Sequence, residues 1–387
     1  MKNIKVMVID DSALVRQVLS EIINHADGME VVAVAIDPIF AQKILHKVKP
    51  DVITLDIEMP RMDGLTFLEK LMCENPIPVV MCSKLTQKSA PASLRALNLG
   101  AVDIVGKPLA NMKNELPQQN QQIINAIRVA ATVNPARLRT SARPGGAALA
   151  VAEKLSADVV LAKQAPNPCT ASARLIAIGA STGGTQALEY VLARLDAEAT
   201  GVVVVQHMPE AFTGAFAQRL DSISPMHVKE AEHGDRIRNG TVLIAPGGRH
   251  TVVENHAGEL CVAVKSGPLV SRHCPSVDVL FRSAAQSAAS ETLGIIMTGM
   301  GDDGAHGMKE LLDAGAFTVA QDEASCVIFG MPGRAIEAGG VSSICSLESM
   351  PLLMNTFRRP NAFESLIGAS ASSSGSKALA ELADSGQ

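Results

Sequence analysis

One repeated alternation constrains the fold of this chain more than any other feature. Short aliphatic runs each end in a polar or small residue, and a helical stripe follows. In the first third the runs are Ile4–Ile9, Val31–Ala35, Val52–Leu55, Pro78–Cys82 and Val102–Val105. Between them Leu14, Val15, Val18, Leu19 and Ile22 recur at helical spacing behind Ser12, a helix-capping residue. Further helices are expected over Pro38–His46, before the stop at Gly100, and over Gln121–Val133. Strands that alternate with helices form a parallel sheet covered on both faces. Aromatic residues are 3% of the chain, with one Tyr and no Trp, so Val, Ile, Leu, Ala and Met must fill the cores.

At 387 residues the chain exceeds one average domain, and two are expected. Residues 134–172 turn to Ala, Pro, Ser, Thr, Gly and Arg, including Arg137, Arg139, Arg143, Pro144, Pro166 and Pro168, and read as a flexible linker. Within it Ala147–Ala162 has the pattern of a weak helix. The alternation then resumes with runs at Arg174–Ile178, Val202–Val205, Thr241–Ala245, Leu293–Met297 and Phe317–Ala320, and with helices such as Met308–Leu312. The expected class is α/β, with two doubly wound parallel-sheet domains. A flavodoxin-like domain occupies 1–133, and a Rossmann-like three-layer domain occupies 173–360. The Ala- and Ser-rich tail over 361–387 is expected to be disordered.

Composition excludes several classes. A net charge of −5 argues against a nucleic-acid surface, which needs a basic patch. No apolar run reaches membrane-spanning length and the start lacks a signal-peptide core, so no membrane insertion is expected. Seven Cys are scattered without a C-x-x-C pair, which suggests neither zinc nor disulfides and suits a reducing cytoplasm.

In doubly wound sheets function gathers at the carboxyl ends of the strands. In the first domain those ends present Asp10, Asp11, Asp56, Ser83 and Lys107. Three clustered carboxylates repel one another unless a cation joins them, and an all-oxygen set suits Mg²⁺. Asp56 can then act as a nucleophile toward a phosphoryl group, with Ser83 and Lys107 on its oxygens. Asp10-Asp11, then Asp56 with Met59-Pro60-Arg61-Met62-Asp63-Gly64, then Ser83, then Lys107-Pro108 resemble, in that order, a two-component receiver domain. The resemblance implies phosphorylation by a histidine kinase.

In the second domain Gly179-Ala180-Ser181-Thr182-Gly183 matches G-x-S-x-G between a strand and a helix carrying Ala187, Leu188, Val191 and Leu192. Ser181 either is a nucleophile near helix N-terminal amides or caps that helix. A later run ends at His207, and another leads to Asp302-Asp303. A hydroxyl to attack, an imidazole to take its proton and a carboxylate to orient the imidazole are what ester hydrolysis needs. The residues alone leave open which of Asp302 and Asp303 faces His207, and His250, His273 and His306 are rival bases. The order Ser, His, Asp differs from that of α/β-hydrolases, and no HGGG-type segment precedes Ser181. An ordinary lipase or esterase is therefore not expected.

Five segments make a closer resemblance: Gly179–Thr185, Gln206-His207-Met208-Pro209, Ala245–His250, Arg272–Asp278 and Thr298–Gly304. They are similar to the chemotaxis protein-glutamate methylesterase (CheB) family, in which a receiver precedes this hydrolase domain. The resemblance implies hydrolysis of glutamate methyl esters on chemoreceptor helices with release of methanol, and deamidation of receptor glutamines. It makes Ser181 the nucleophile, His207 the base and acid, and Asp303 the orienting acid. It places the Met300 amide in an oxyanion hole, gives Thr182 an assisting or helix-capping part, and puts Arg272 and His273 on the substrate face. It also implies that the unphosphorylated receiver covers the active site. Mg²⁺ is expected in the receiver, no cofactor in the hydrolase, and a monomer overall. The rivals are a non-catalytic regulator, which would have a degraded triad, and a DNA-binding one, which would carry a basic helix-turn-helix. The same chemistry on receptors of a non-chemotaxis array stays open.

Overall fold

Residues 3–83, 90–108, 116–133, 155–164, 174–360 and 362–364 are described by the computed structural model. They fall into two units, Met1–Ala147 and Ala148–Gln387. In the first, β1 (Ile4–Ile9), β2 (Met29–Ala35), β3 (Val52–Asp56), β4 (Val79–Ser83) and β5 (Asp103–Gly106) form a sheet in the order β2-β1-β3-β4-β5. Every pairing is parallel. The helices are α1 (Ala13–Asn24), α2 (Pro38–Leu45), α3 (Gly64–Glu74), α4 (Ala90–Asn98) and α5 (Leu116–Thr132). Ser12, Asp37 and Asp63 cap α1, α2 and α3 by accepting the N–H of Val15, Phe40 and Thr66. Each cap satisfies a donor that the helix leaves unpaired. Met7, Ile9, Ile53, Leu55, Phe67, Leu68 and Met81 form the heart of the core. The chain turns one way from β1 to β2 and the other way to β3. Asp10 and Asp56 therefore emerge at the topological switch point.

The second unit repeats the plan on a larger scale. Its parallel strands are β6 (Leu175–Ala180), β7 (Val202–Gln206), β8 (His227–Glu230), β9 (Thr241–Ile244), β12 (Thr292–Ile296), β13 (Phe317–Gln321) and β14 (Ser343–Cys345). They lie in the order β14-β13-β12-β6-β7-β9-β8. The helices are α6 (Gly184–Leu192), α7 (Glu210–Asp221), α8 (Val277–Ala288), α9 (Ala305–Asp313), α10 (Met331–Glu337) and α11 (Met350–Phe357). Here the switch point lies between β6 and β12.

Three features depart from the sequence expectation. An antiparallel hairpin of β10 (His250–His256) and β11 (Glu259–Lys265) packs on α8. Its register on α8 is set by Val253 N–H to Ser283 Oγ (2.8 Å) and Asn255 Nδ2 to Ser287 O (3.0 Å). Its turn, Ala257-Gly258, lacks the Asn-Gly or Asp-Gly signature that marks a hairpin in sequence. Second, residues 155–164 are not a free tether. Ala157–Val159 form one turn of 3₁₀ helix where a weak α-helix was expected, capped by Ser156. Ala157 is buried with Val252, Ala263, Val270 and Val279. Arg282 of α8 donates to Asp158 Oδ1 (2.8 Å) and Leu161 O (3.0 Å), and Gln286 donates to Ala162 O (2.9 Å). Third, residues 362–364 are helical, and Phe363 lies edge-on to Phe317 and Phe357. Order thus continues beyond the expected boundary at 360. Most of 134–172 and the tail beyond 364 lie outside the described residues.

The docked segment has a measurable consequence. A fragment of residues 148–387 should resist urea more than one of residues 173–387, by on the order of 1–3 kcal/mol for the lost hydrogen bonds and burial. Coincident unfolding midpoints would show that the segment contributes nothing.

Candidate active site

Strand register brings the candidate residues together. Ala180 of β6 pairs with Gln206 of β7, and Gly179 pairs with Ile296 of β12. The residues just beyond those pairs must then meet. Ser181 N–H donates to Thr298 O (3.0 Å), and His207 N–H donates to Ala180 O (3.1 Å). Two glycines make the turn possible. Gly183 adopts φ +79°, and a Cβ there would fall 2.6 Å from Val327 Cβ. A Cβ on Gly299 would fall 2.8 Å from Ser181 Cβ. Gly183 is also the residue that precedes α6, and no side chain caps that helix. The capping parts considered for Ser181 and Thr182 are therefore not adopted. Thr182 instead offers its carbonyl to Thr298 Oγ1 (3.0 Å).

His207 Nε2 lies 2.8 Å from Asp303 Oδ2, with the His207 side chain 7% exposed and that of Asp303 fully buried. The N-terminus of α8 holds the same carboxylate. Ser276 Oγ (2.8 Å) and Asp278 N–H (3.0 Å) donate to Oδ1, and Val277 N–H (2.8 Å) donates to Oδ2. Unpaired N–H groups and the helix dipole both favour a negative charge there. An ionised carboxylate only accepts, so the neutral imidazole carries its proton on Nε2 and its lone pair on Nδ1. Nδ1 is buried and makes no hydrogen bond among the described residues. It is thus a basic nitrogen with no hydrogen bond of its own. Asp302 faces the other way and pairs with Arg272 Nη2 (3.1 Å).

The rival histidines have other surroundings. His250 is buried, with Nε2 on Pro268 O (2.9 Å) and Nδ1 accepting Ser276 N–H (3.3 Å), so both nitrogens are engaged. Burial lowers its pKa. His306 lines a cavity of about 330 Å³ with Asp278, Arg282 and the docked segment. Burial, then the charge of Asp303, pushes the Asp278 carboxyl up to about 6. His273 lies flat against His207, with ring centroids 3.7 Å apart and planes within 4°. Arg272 is exposed, as is Met300 (44%), whose main-chain N–H is not used by any described residue.

Sequence reasoning missed Gln206. Its buried Nε2 donates to the carbonyls of both Ser181 (2.9 Å) and His207 (3.3 Å), tying one turn to the other. A polar residue closing a run of four valines was the available signal. Gln206→Leu should lower the stability of this unit by on the order of 1–3 kcal/mol, measured by urea denaturation, because two carbonyls lose their donor.

The first unit carries an acidic site. Lys107 Nζ lies 2.9 Å from Asp10 Oδ2 and 2.6 Å from Asp56 Oδ2. Carboxylate oxygens of Asp10, Asp11 and Asp56 fall within 4.8 Å of one another, a set that could hold a metal ion. An all-oxygen set suits a hard divalent cation. Burial pushes the Asp56 carboxyl up to about 6, against the opposing pull of Lys107. Ser83 ends β4 in the same place, buried, with its carbonyl on Lys107 N–H (3.0 Å).

Fold and site together define a class: a receiver-like α/β unit in one chain with an α/β unit that pairs a buried histidine with a buried aspartate at its switch point. Comparison with known proteins sharpens this. The response regulator receiver domain family matches residues 6–119, and the CheB methylesterase family matches residues 176–354. A protein-glutamate methylesterase/protein-glutamine glutaminase 2 of Chromobacterium violaceum is 52% identical, covering 89% of this chain and 98% of the relative. One of the same name from Pseudomonas syringae pv. tomato is 53% identical over 90% of this chain and 97% of the relative. The crystal structure of the Thermotoga maritima CheB methylesterase catalytic domain is 36% identical, covers 48% of this chain and 98% of its own, and aligns with a TM-score of 0.47. The chain belongs to the CheB family of protein-glutamate methylesterases/protein-glutamine glutaminases.

Proposed function

We propose that this chain hydrolyses glutamate methyl esters on chemoreceptor helices, deamidates receptor glutamines to glutamate, and is switched on by phosphorylation of its receiver. The free Nδ1 of His207, with Nε2 fixed on Asp303, carries this reading. Ser181 Oγ attacks the ester carbonyl as its proton passes to Nδ1. The imidazolium is stabilised by Asp303, and the oxyanion by the Met300 N–H. Collapse expels methanol, protonated by His207. Water, deprotonated by the same nitrogen, then splits the acyl-serine to leave glutamate and regenerate Ser181. With a glutamine side chain the leaving group is ammonia. Arg272 sits at the rim of the site, where an acidic receptor segment would meet its charge.

In the receiver, Asp56 accepts the phosphoryl group from a histidine kinase, and Lys107 and Ser83 bind its oxygens. Asp10, Asp11 and Asp56 would hold Mg²⁺, which offsets the charge of phosphate and carboxylates together. The receiver spans residues 1–133. The hydrolase spans 173–360 together with the docked segment 155–164. Among the described residues no helix is long and apolar enough to cross a membrane, and a cytoplasmic setting fits the substrate helices.

Methanol release from methylated receptors should rise with acetyl phosphate and Mg²⁺. It should vanish in Ser181→Ala and lose its stimulation, though not its basal rate, in Asp56→Asn. Release by Ser181→Ala at the wild-type rate would sink the assignment.

The receiver should also respond to pH. Asp56 titrates near 6 in the folded unit against an ordinary 3.8, so the folded state binds this proton more tightly than the unfolded state does. Its contribution to stability is therefore greatest at low pH and is lost as pH rises through the folded value. Asp56→Asn should stabilise the receiver at pH 8 relative to pH 5 by on the order of 1–3 kcal/mol, read from urea denaturation. Added Mg²⁺ should stabilise the wild type more than the variant.

A further inference from the structure

His273 is the residue whose placement the hydrolysis scheme leaves unused. Its ring stacks on one face of the His207 imidazole, with centroids 3.7 Å apart and the two planes nearly parallel. The edges of His207 are otherwise assigned, with Nε2 on Asp303 and the buried Nδ1 left without a hydrogen bond among the described residues. The chain goes to some cost to put His273 there. Ser271 and Arg272, the two residues before it, both adopt left-handed conformations at φ 49° and 72°. Each costs a non-glycine residue roughly 1 kcal/mol or more. A pair of main-chain hydrogen bonds between Val270 and His273 closes the turn (2.8 and 3.0 Å). Three contacts then anchor it. Ser271 Oγ donates to Asp278 Oδ2 (2.9 Å), Ser271 N–H donates to Leu155 O of the docked segment (2.9 Å), and Arg272 pairs with Asp302. A turn strained in this way and held from three sides presents its next side chain in one orientation.

We infer that His273 is a positioning residue for the hydrolysis: its ring fixes the plane of the His207 imidazole and keeps water from that face. This rests on the reading of His207 as the base. Desolvation favours the neutral form of an imidazole, and a base must be neutral to take a proton from Ser181. The neutral π face of His273 then lies against the imidazolium that forms, an attractive contact, whereas a protonated His273 would repel it. The charged groups around the pair are Asp303 at Nε2 of His207, with Arg272 and Asp302 near His273. The two carboxylates favour protonation of the rings and Arg272 opposes it. Burial outweighs them and holds both imidazoles below their ordinary range.

The test uses the full chain with His273→Ala and His273→Phe, and His207→Gln as control. The readouts are kcat and KM for methanol release across pH, and the His207 ring titration followed by NMR. His273→Ala should lower kcat about 10- to 100-fold with KM changed less than about twofold, because the base loses its fixed plane. The acid limb of kcat and the His207 titration should both move up by about one pH unit or more, toward the ~6.5 of a solvated imidazole. His273→Phe, which keeps a stacked ring, should restore the limb and bring kcat within about threefold of wild type. If His273→Ala does not fold, His273→Gln takes its place with the same expectations. A wild-type limb and kcat in His273→Ala, a His273→Phe as impaired as His273→Ala, or an effect confined to KM would each overturn the inference. Full activity in His207→Gln would instead overturn the assignment of the base, whatever the His273 variants do.

Discussion

The Asp303 carboxylate, buried against the N-terminus of α8, is the interaction on which the second unit's site depends. A charge removed from water persists only when its oxygens are fully hydrogen-bonded. Here His207, Ser276, Val277 and Asp278 supply those donors. They arise from the end of β7 and the start of α8, while Asp303 itself follows β12. One carboxylate therefore fixes the angle between a helix and two strands. Helix α8 in turn carries the β10–β11 hairpin and the segment 155–164, so parts remote from the chemistry are tied to the same anion. His250 extends the arrangement by holding Ser276 N–H on one side and Pro268 O on the other.

The two units solve opposite electrostatic problems with one topology. Each places its reactive groups where the strand order reverses, since diverging helices leave a crevice there. At the β6–β12 crevice a single carboxylate is surrounded by donors. At the β1–β3 crevice two of three clustered carboxylates, Asp10 and Asp56, share Lys107, and Asp56 is harder to ionise than an ordinary aspartate. The first arrangement holds the His207 imidazole in one orientation. The second leaves a demand for positive charge, which a divalent cation on the three acids could meet.

What the sequence made legible follows the range of the physics involved. Ser181, His207, Asp10 and Asp56 each follow an aliphatic run, and burial of a run is a local property that alternation exposes. The choice between Asp302 and Asp303 could not be local, because the two are adjacent and the donors that select Asp303 lie about 25 residues earlier, on α8. Gln206 was hidden for a similar reason: its partners are carbonyls, which leave no trace in side-chain pattern. The hairpin was missed because its turn carries Ala where Asn or Asp would announce it. The segment 155–164 was misjudged because its composition is that of a linker, while the packing of Ala157 and the ion pair of Asp158 depend on α8 more than 100 residues away.

Around the β6–β12 switch point the packing depends on glycine. Gly179, Gly183, Gly184, Gly299 and Gly304 each face a neighbour that leaves no room for a Cβ. A side chain at any one of them would force a close-packed neighbour such as Val277, Val327 or Gln206 to move. Change meets less resistance at exposed positions such as Leu269, Arg272 and Met300. Evolution of this chain should be lopsided, with a close-packed interior that tolerates few exchanges and an exposed surface that tolerates many.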